Sequence, residues 1–94
     1  MNGLSYALDL AETYRDAPGV MDELFRAALR DDREVAIHAA ALLAYLHGNA
    51  KEAFDWDRRP FYLRFADEDP TVREAAFREL CAECGVNHEP FLRT

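Results

Sequence analysis

The arrangement closest to a chemical motif in this chain is Cys81-x-x-Cys84-x-x-x-His88. Thiolate and imidazole donors at such spacing suit zinc, which takes about four ligands in a tetrahedron. Only three lie close in sequence, so His47, on an earlier segment, would have to complete the set. A redox CxxC works at a helix N-terminus, where the dipole stabilises thiolate, whereas these cysteines read as the C-terminal end of a helix. Core or surface cysteines are therefore the main reading and metal ligation the second. Two cysteines on adjacent turns of one helix do not usually form a disulfide, which suits a reduced, cytoplasmic chain.

Other chemistry is sparser. Asp55 and Asp57 stand two apart. That spacing ahead of a helix does not converge both carboxylates on one substrate, and Arg58 and Arg59 would hold them ionised. Cap and salt bridge are the better roles. His38, between Ile37 and Ala39, reads as an interior or groove histidine. Ser5 is the sole serine and has no base beside it in sequence, so it lacks the neighbour a nucleophile needs. The four glycines are scattered and build no phosphate-cradling loop.

One stretch stands apart. Residues 53–65, AFDWDRRPFYLRF, pack five aromatics and three arginines into thirteen positions. Asp57 fits the cap of a helix whose first turn holds Arg58, Arg59 and Pro60, since proline's missing N–H costs little there. Trp56 and Phe61 then have the spacing of a hydrophobic staple. Phe61, Phe65 and Tyr62 are expected inside, with Arg59 and Arg64 outside. The same stretch could anchor a partner through Asp55, Trp56, Arg58, Arg59 and Tyr62, because Trp, Tyr and Arg dominate binding hot spots.

The elements that must position these groups all read as helices, with no strict alternation of β-branched residues. A leading helix is expected at about 4–16, ended by Ala17-Pro18-Gly19. A second covers residues 20–30, with Met21, Leu24, Phe25, Ala28 and Leu29 as its stripe. Asp31 or Asp32 caps a third. Residues 35–50, VAIHAAALLAYLHGNA, carry no formal charge, so this helix is the central one, with Gly48 as its C-terminal cap. The fourth follows an insertion at residues 49–60. Asp69-Pro70 opens the fifth, which runs to Gly85, and residues 87–94 read as an irregular tail with Phe91 or Leu92 tucked onto the core.

Shifting the chain by 37 positions superposes residues 31–48 on 68–85 with five identities in eighteen, all at cap, core or helix-end positions. They are Asp32 with Asp69, Val35 with Val72, Ala39 with Ala76, Leu43 with Leu80 and Gly48 with Gly85. Residues 67–80, DEDPTVREAAFREL, resemble the HEAT-like repeat family in their Asp-Pro turn, Val-Arg pair and alanine-leucine stripe. The earlier copy departs from that pattern, with Arg33 in place of proline and Ala36 in place of arginine. The resemblance implies stacked antiparallel helix pairs, here repeat one at about 20–48 and repeat two at about 58–86, serving as a protein-binding scaffold. Some relatives in that family bind damaged DNA or act as chromophore lyases.

Ninety-four residues make one domain, half of them apolar and 31% charged, a composition that folds rather than staying disordered. Eighteen acids against eleven bases give −7, with no basic excess in either half, which argues against nucleic acid. No apolar run reaches the roughly 18 residues of a membrane span. The expectation is an all-α domain of about five helices, two HEAT-like pairs behind a capping helix. Its expected role is a non-enzymatic module for a basic protein, of immunity or inhibitor type, with no cofactor and with a homodimer open to it. The alternatives are a metal- or small-molecule-binding domain, or an enzyme with His38, Tyr45 and Arg73 around one pocket.

Overall fold

A computed structural model of the chain describes residues 18–30 and 32–93. The leading helix expected at about 4–16, Ser5 and Asp31 lie outside the described residues. The described part is all-α. Its helices are α1 (Pro18–Ala27), α2 (Arg33–Leu46), α3 (Arg59–Leu63), α4 (Pro70–Cys84) and α5 (Glu89–Leu92). Single 3₁₀ turns, Trp56–Arg58 and Arg64–Ala66, flank α3, so residues 56–66 form one helical segment.

α1 starts two residues earlier than the stripe predicts, with Pro18 and Gly19 in its first turn. Phe25 and, just past its end, Ala28 are the buried contacts, with Met21, Leu24 and Leu29 packed beside them. Asp22 and Arg26 pair on its outer face at 2.9 Å. α2 begins where the Asp32 carboxylate accepts the Val35 N–H at 3.2 Å, satisfying one of the donors a helix start leaves unpaired. It ends at His47 and Gly48, whose φ of 76° lies in the left-handed region that glycine enters without a Cβ penalty.

Five alanines of α2 (36, 39, 40, 41 and 44) are buried together with Leu42, Leu43 and Leu46. A helix with so little side-chain bulk lets its neighbours approach on several sides, and α1, α3, the second 3₁₀ turn and α4 all pack against it. α4 repeats the design of α2. Asp69 caps it by accepting the Thr71 N–H at 2.9 Å, Pro70 takes the first turn, and Gly85 closes it at φ 69°. Its Ala76, Phe77, Leu80 and Cys81 face the core.

Two contacts fix how α2 and α4 run. Near their N-terminal ends Arg33 reaches Glu68 at 3.7 Å. At their C-terminal ends the Asn49 amide, just past α2, donates to the Glu83 carbonyl in the last turn of α4 at 3.2 Å. The two helices therefore lie side by side and parallel. The tail departs from the irregular expectation: residues 89–92 wind into one turn, with Phe91 stacked on Phe25 at 5.3 Å and edge-on to Phe77 at 5.9 Å. Among the described residues, no helix is long and apolar enough to cross a membrane.

Candidate functional site: an aromatic segment clasped by Arg58

The segment 56–66 starts at Asp55, not at Asp57. The Asp55 carboxylate accepts the Asp57 N–H at 3.0 Å, and the Asp55 carbonyl accepts the Arg58 N–H at 3.0 Å, closing a 3₁₀ turn before α3 begins. Asp57 is thus the capped residue rather than the cap, and α3 itself has no side-chain cap. The expected staple fails for the same reason. With the turn wound two residues earlier, Trp56 swings off Phe61 and meets Phe54 instead, ring centroids 5.5 Å apart and edge-on.

Phe54, which the sequence reading passed over, links the surface to the interior. Its ring also lies 5.5 Å from that of Tyr62, and Tyr62 in turn contacts Phe61, which meets Phe65 edge-on at 5.5 Å. Aromatic pairs in such tilted arrangements add about 0.5–1.5 kcal/mol beyond their buried area. The row ends outside: Trp56 is 67% exposed, and the Arg59 guanidinium sits over its indole at 4.8 Å.

Arg58 holds this row to the rest of the molecule. It donates to both oxygens of Glu83 at 2.7 Å and to the Asn49 carbonyl at 3.1 Å. Its guanidinium also lies over the Phe61 and Tyr62 rings, at 4.9 and 5.6 Å. One guanidinium nitrogen meets both carboxylate oxygens while the other terminal nitrogen reaches the Asn49 carbonyl, and hydrogen bonds between ionised groups are roughly twice as strong as neutral ones. Burial alone would lower the Arg58 pKa, but the Glu83 carboxylate more than offsets it and leaves the guanidinium raised. Arg64 makes a second cross-link, to Glu79 of the same helix.

Between α3 and α4 these pairs frame an open groove of about 670 Å³. Arg58, Pro60, Phe61 and Arg64 line one wall, and Glu79, Ala82 and Glu83 the other. A smaller hollow of about 310 Å³ lies by the tail, among Glu74, Arg78, His88, Glu89, Leu92 and Arg93. His38, Tyr45 and Arg73 line neither of them, so the structure does not gather the enzyme candidates in either hollow.

The five proposed anchor residues separate. Trp56 and Arg59 are exposed. Tyr62 is fully buried, which removes it from any contact surface. Its hydroxyl lacks a hydrogen-bond partner, and burial raises its pKa despite the cation of Arg58 nearby. Arg58 is a fastener and Asp55 a cap. Leu63, which the sequence reading did not single out, is 45% exposed. Its signal was its position seven residues beyond Trp56, two helical turns along.

The metal candidates do not converge. Cys81 is buried in the core, Cys84 and His88 are half-buried, and exposed His47 lies beside the Phe25 ring at 6.2 Å. Among the described residues, no three His, Cys, Asp or Glu side chains are placed to hold a metal ion. Both thiols are free, and burial pushes them up, Cys81 to about 11 and Cys84 to about 12, away from nucleophilic use. Comparison with family models, curated proteins and solved structures returns no match to this chain.

Proposed function

We propose that this chain is a non-enzymatic protein-interaction module, a short HEAT-like stack whose aromatic segment presents Trp56, Arg59 and Leu63 to a basic protein. The observation that carries the reading is an indole two-thirds exposed on a segment that Arg58 ties to α4. A large side chain held outward on a fixed support loses little freedom on binding, and Trp with Arg is the pairing hot spots favour.

Support for the HEAT-like stack comes from the parallel α2 and α4 and from their matched ends. Asp32 and Asp69 cap them, and Gly48 and Gly85 close them with positive φ. The charge of −7 favours a basic partner by steering its approach and rejecting acidic competitors. Masking a basic surface, as an immunity or inhibitor protein does, is one form of this role.

The test is capture from host lysate with wild-type and Trp56→Ala baits, followed by titration of the purified partner. A basic protein should bind the purified wild type, and Trp56→Ala should weaken it by about tenfold or more. The same variant should unfold within about 1 kcal/mol of wild type, because the ring is mostly exposed. An affinity untouched by Trp56→Ala would move the interface away from this segment.

A further inference from the structure

The helical segment 56–66 carries two apolar stripes, each at the i, i+3, i+4, i+7 spacing of one helix face. Arg58, Phe61, Tyr62 and Phe65 form the inner one, packed on the core and α4. Trp56, Arg59, Pro60 and Leu63 form the outer one, and all four are exposed. Within it the Arg59 guanidinium covers Trp56, and Pro60 also lines the groove against α4. A segment that already spends one stripe on its own core has a second stripe left for another element.

Resting on the reading above, we infer that this outer stripe docks a basic amphipathic α-helix of the partner. The helical form follows from the fold. Strand addition needs a sheet edge, which the described residues lack, and a polyproline peptide needs an aromatic-lined groove, whereas the groove against α4 has one aromatic, Phe61, in its lining. A helix satisfies its own backbone groups and asks only for side-chain contact, which the stripe and the adjoining groove provide.

The basic character follows from the charges at both ends of the segment. Exposed Glu52 and Asp57, with Asp55, stand at its start against the single Lys51, and exposed Asp67, Glu68 and Asp69 follow its end. Arg58 and Arg64 are paired with Glu83 and Glu79, Arg33 meets Glu68 and Arg59 keeps its charge over the indole, so with Lys51 three cations stand against six acids and the surface stays acidic. A second copy of this chain would bring the same acids against them, and like charges across an interface repel.

Two model helices of about 18 residues, tryptophan-free and with the same leucine stripe, test this, one with a lysine polar face and one with glutamate. Trp56 is the only tryptophan, so its emission reports the site directly. The lysine helix should bind and shift that emission to the blue, about tenfold or more tighter than the glutamate helix. Its binding should fall in about 0.5 M salt, where screening reaches a few ångströms. Followed by anisotropy of a labelled peptide, Leu63→Ser and Trp56→Ala should each weaken it about tenfold.

Three results would overturn the inference: equal binding of the two helices, binding that both variants leave unchanged, or no binding of the lysine helix. A dimer of this chain that Trp56→Ala dissociates would also overturn it and assign the stripe to a second copy. If a captured partner depends on Trp56 while lysine helices fail, the helical form falls and the proposed function stands. If wild-type bait captures nothing either, both fall.

Discussion

Arg58 makes contacts at two scales of strength, and their balance decides what its loss would do. Its side chain is only 21% exposed, so the pair with Glu83 is shielded from much of the screening that makes surface ion pairs weak. Arg58→Ala would leave a half-covered Glu83 carboxylate and the Asn49 carbonyl without their donor, and uncover one face of Phe61. Hydrogen bonds to charged groups are worth about 1.5–3 kcal/mol each, and stranding one partner costs more than the bond gained. The expected loss is roughly 2–3 kcal/mol in urea unfolding. Arg58→Lys should recover less than half of it, because a single ammonium nitrogen cannot stand at both the Glu83 carboxylate and the Asn49 carbonyl, which Arg58 reaches with separate nitrogens. An alanine variant as stable as wild type would show that the clasp holds nothing. This pair was illegible in the sequence: Glu83 stands 25 residues away on what reads as an ordinary solvated helix face. Only the docking of α3 beside α4 gives it a role.

At the scale of elements, local chemistry was legible wherever the candidate caps for a helix start stood alone or side by side. Asp69-Pro70 and the uncharged stretch of α2 gave their boundaries within a residue or so. The aromatic segment reads from sequence as starting at Asp57, although Asp55 two residues earlier has an equal intrinsic claim. The choice falls to Asp55 because Arg58 is drawn toward Glu83 and Asn49, which winds the preceding turn two residues early. Asp55→Ala should therefore cost about 1 kcal/mol of unfolding free energy, and Asp57→Ala close to nothing. The reverse order in denaturant melts would restore Asp57 as the cap. The tail was misread for a related reason. Four residues have no helical stability of their own, and Glu89–Leu92 winds only because Phe91 docks against Phe25 and Phe77 while the Asn87 side chain accepts the Glu89 N–H.

For the molecule as a whole, the buried thiols set an alkaline limit. Cys81 is raised to about 11 and Cys84 to about 12 from an ordinary 9.0, first of all by burial, and Tyr62 is raised from 10.0 by the same cause. Above pH 9 the unfolded chain releases these protons while the folded chain keeps them. The folded state then binds more protons, so stability falls as pH rises. The slope is about 1.4 kcal/mol per pH unit for each thiol until its folded pKa is reached, and the contribution is complete below about pH 8.5. A domain of this size has about 5–10 kcal/mol in hand, so urea midpoints should hold level from pH 7 to 8.5 and drop steeply by pH 10.5. Cys84→Ala should make that drop shallower. A level profile through pH 10.5 would mean that the thiols are open to solvent.

The alanines of α2 give the protein an unusual direction of weakness. Ala36, Ala40, Ala41 and Ala44 have no measurable exposure, and their single methyl groups set the distance at which the surrounding helices stand. A leucine-filled centre tolerates crowding poorly but is injured mainly by shrinkage, since each lost methylene opens a void. At these four positions there is almost nothing to remove, in contrast to Leu42 and Leu43 beside them. Injury comes from growth, because one added branch must push whole helices apart. Substitution at these four positions is confined to the smallest residues, and the spacing of the helices is set by what those positions leave out.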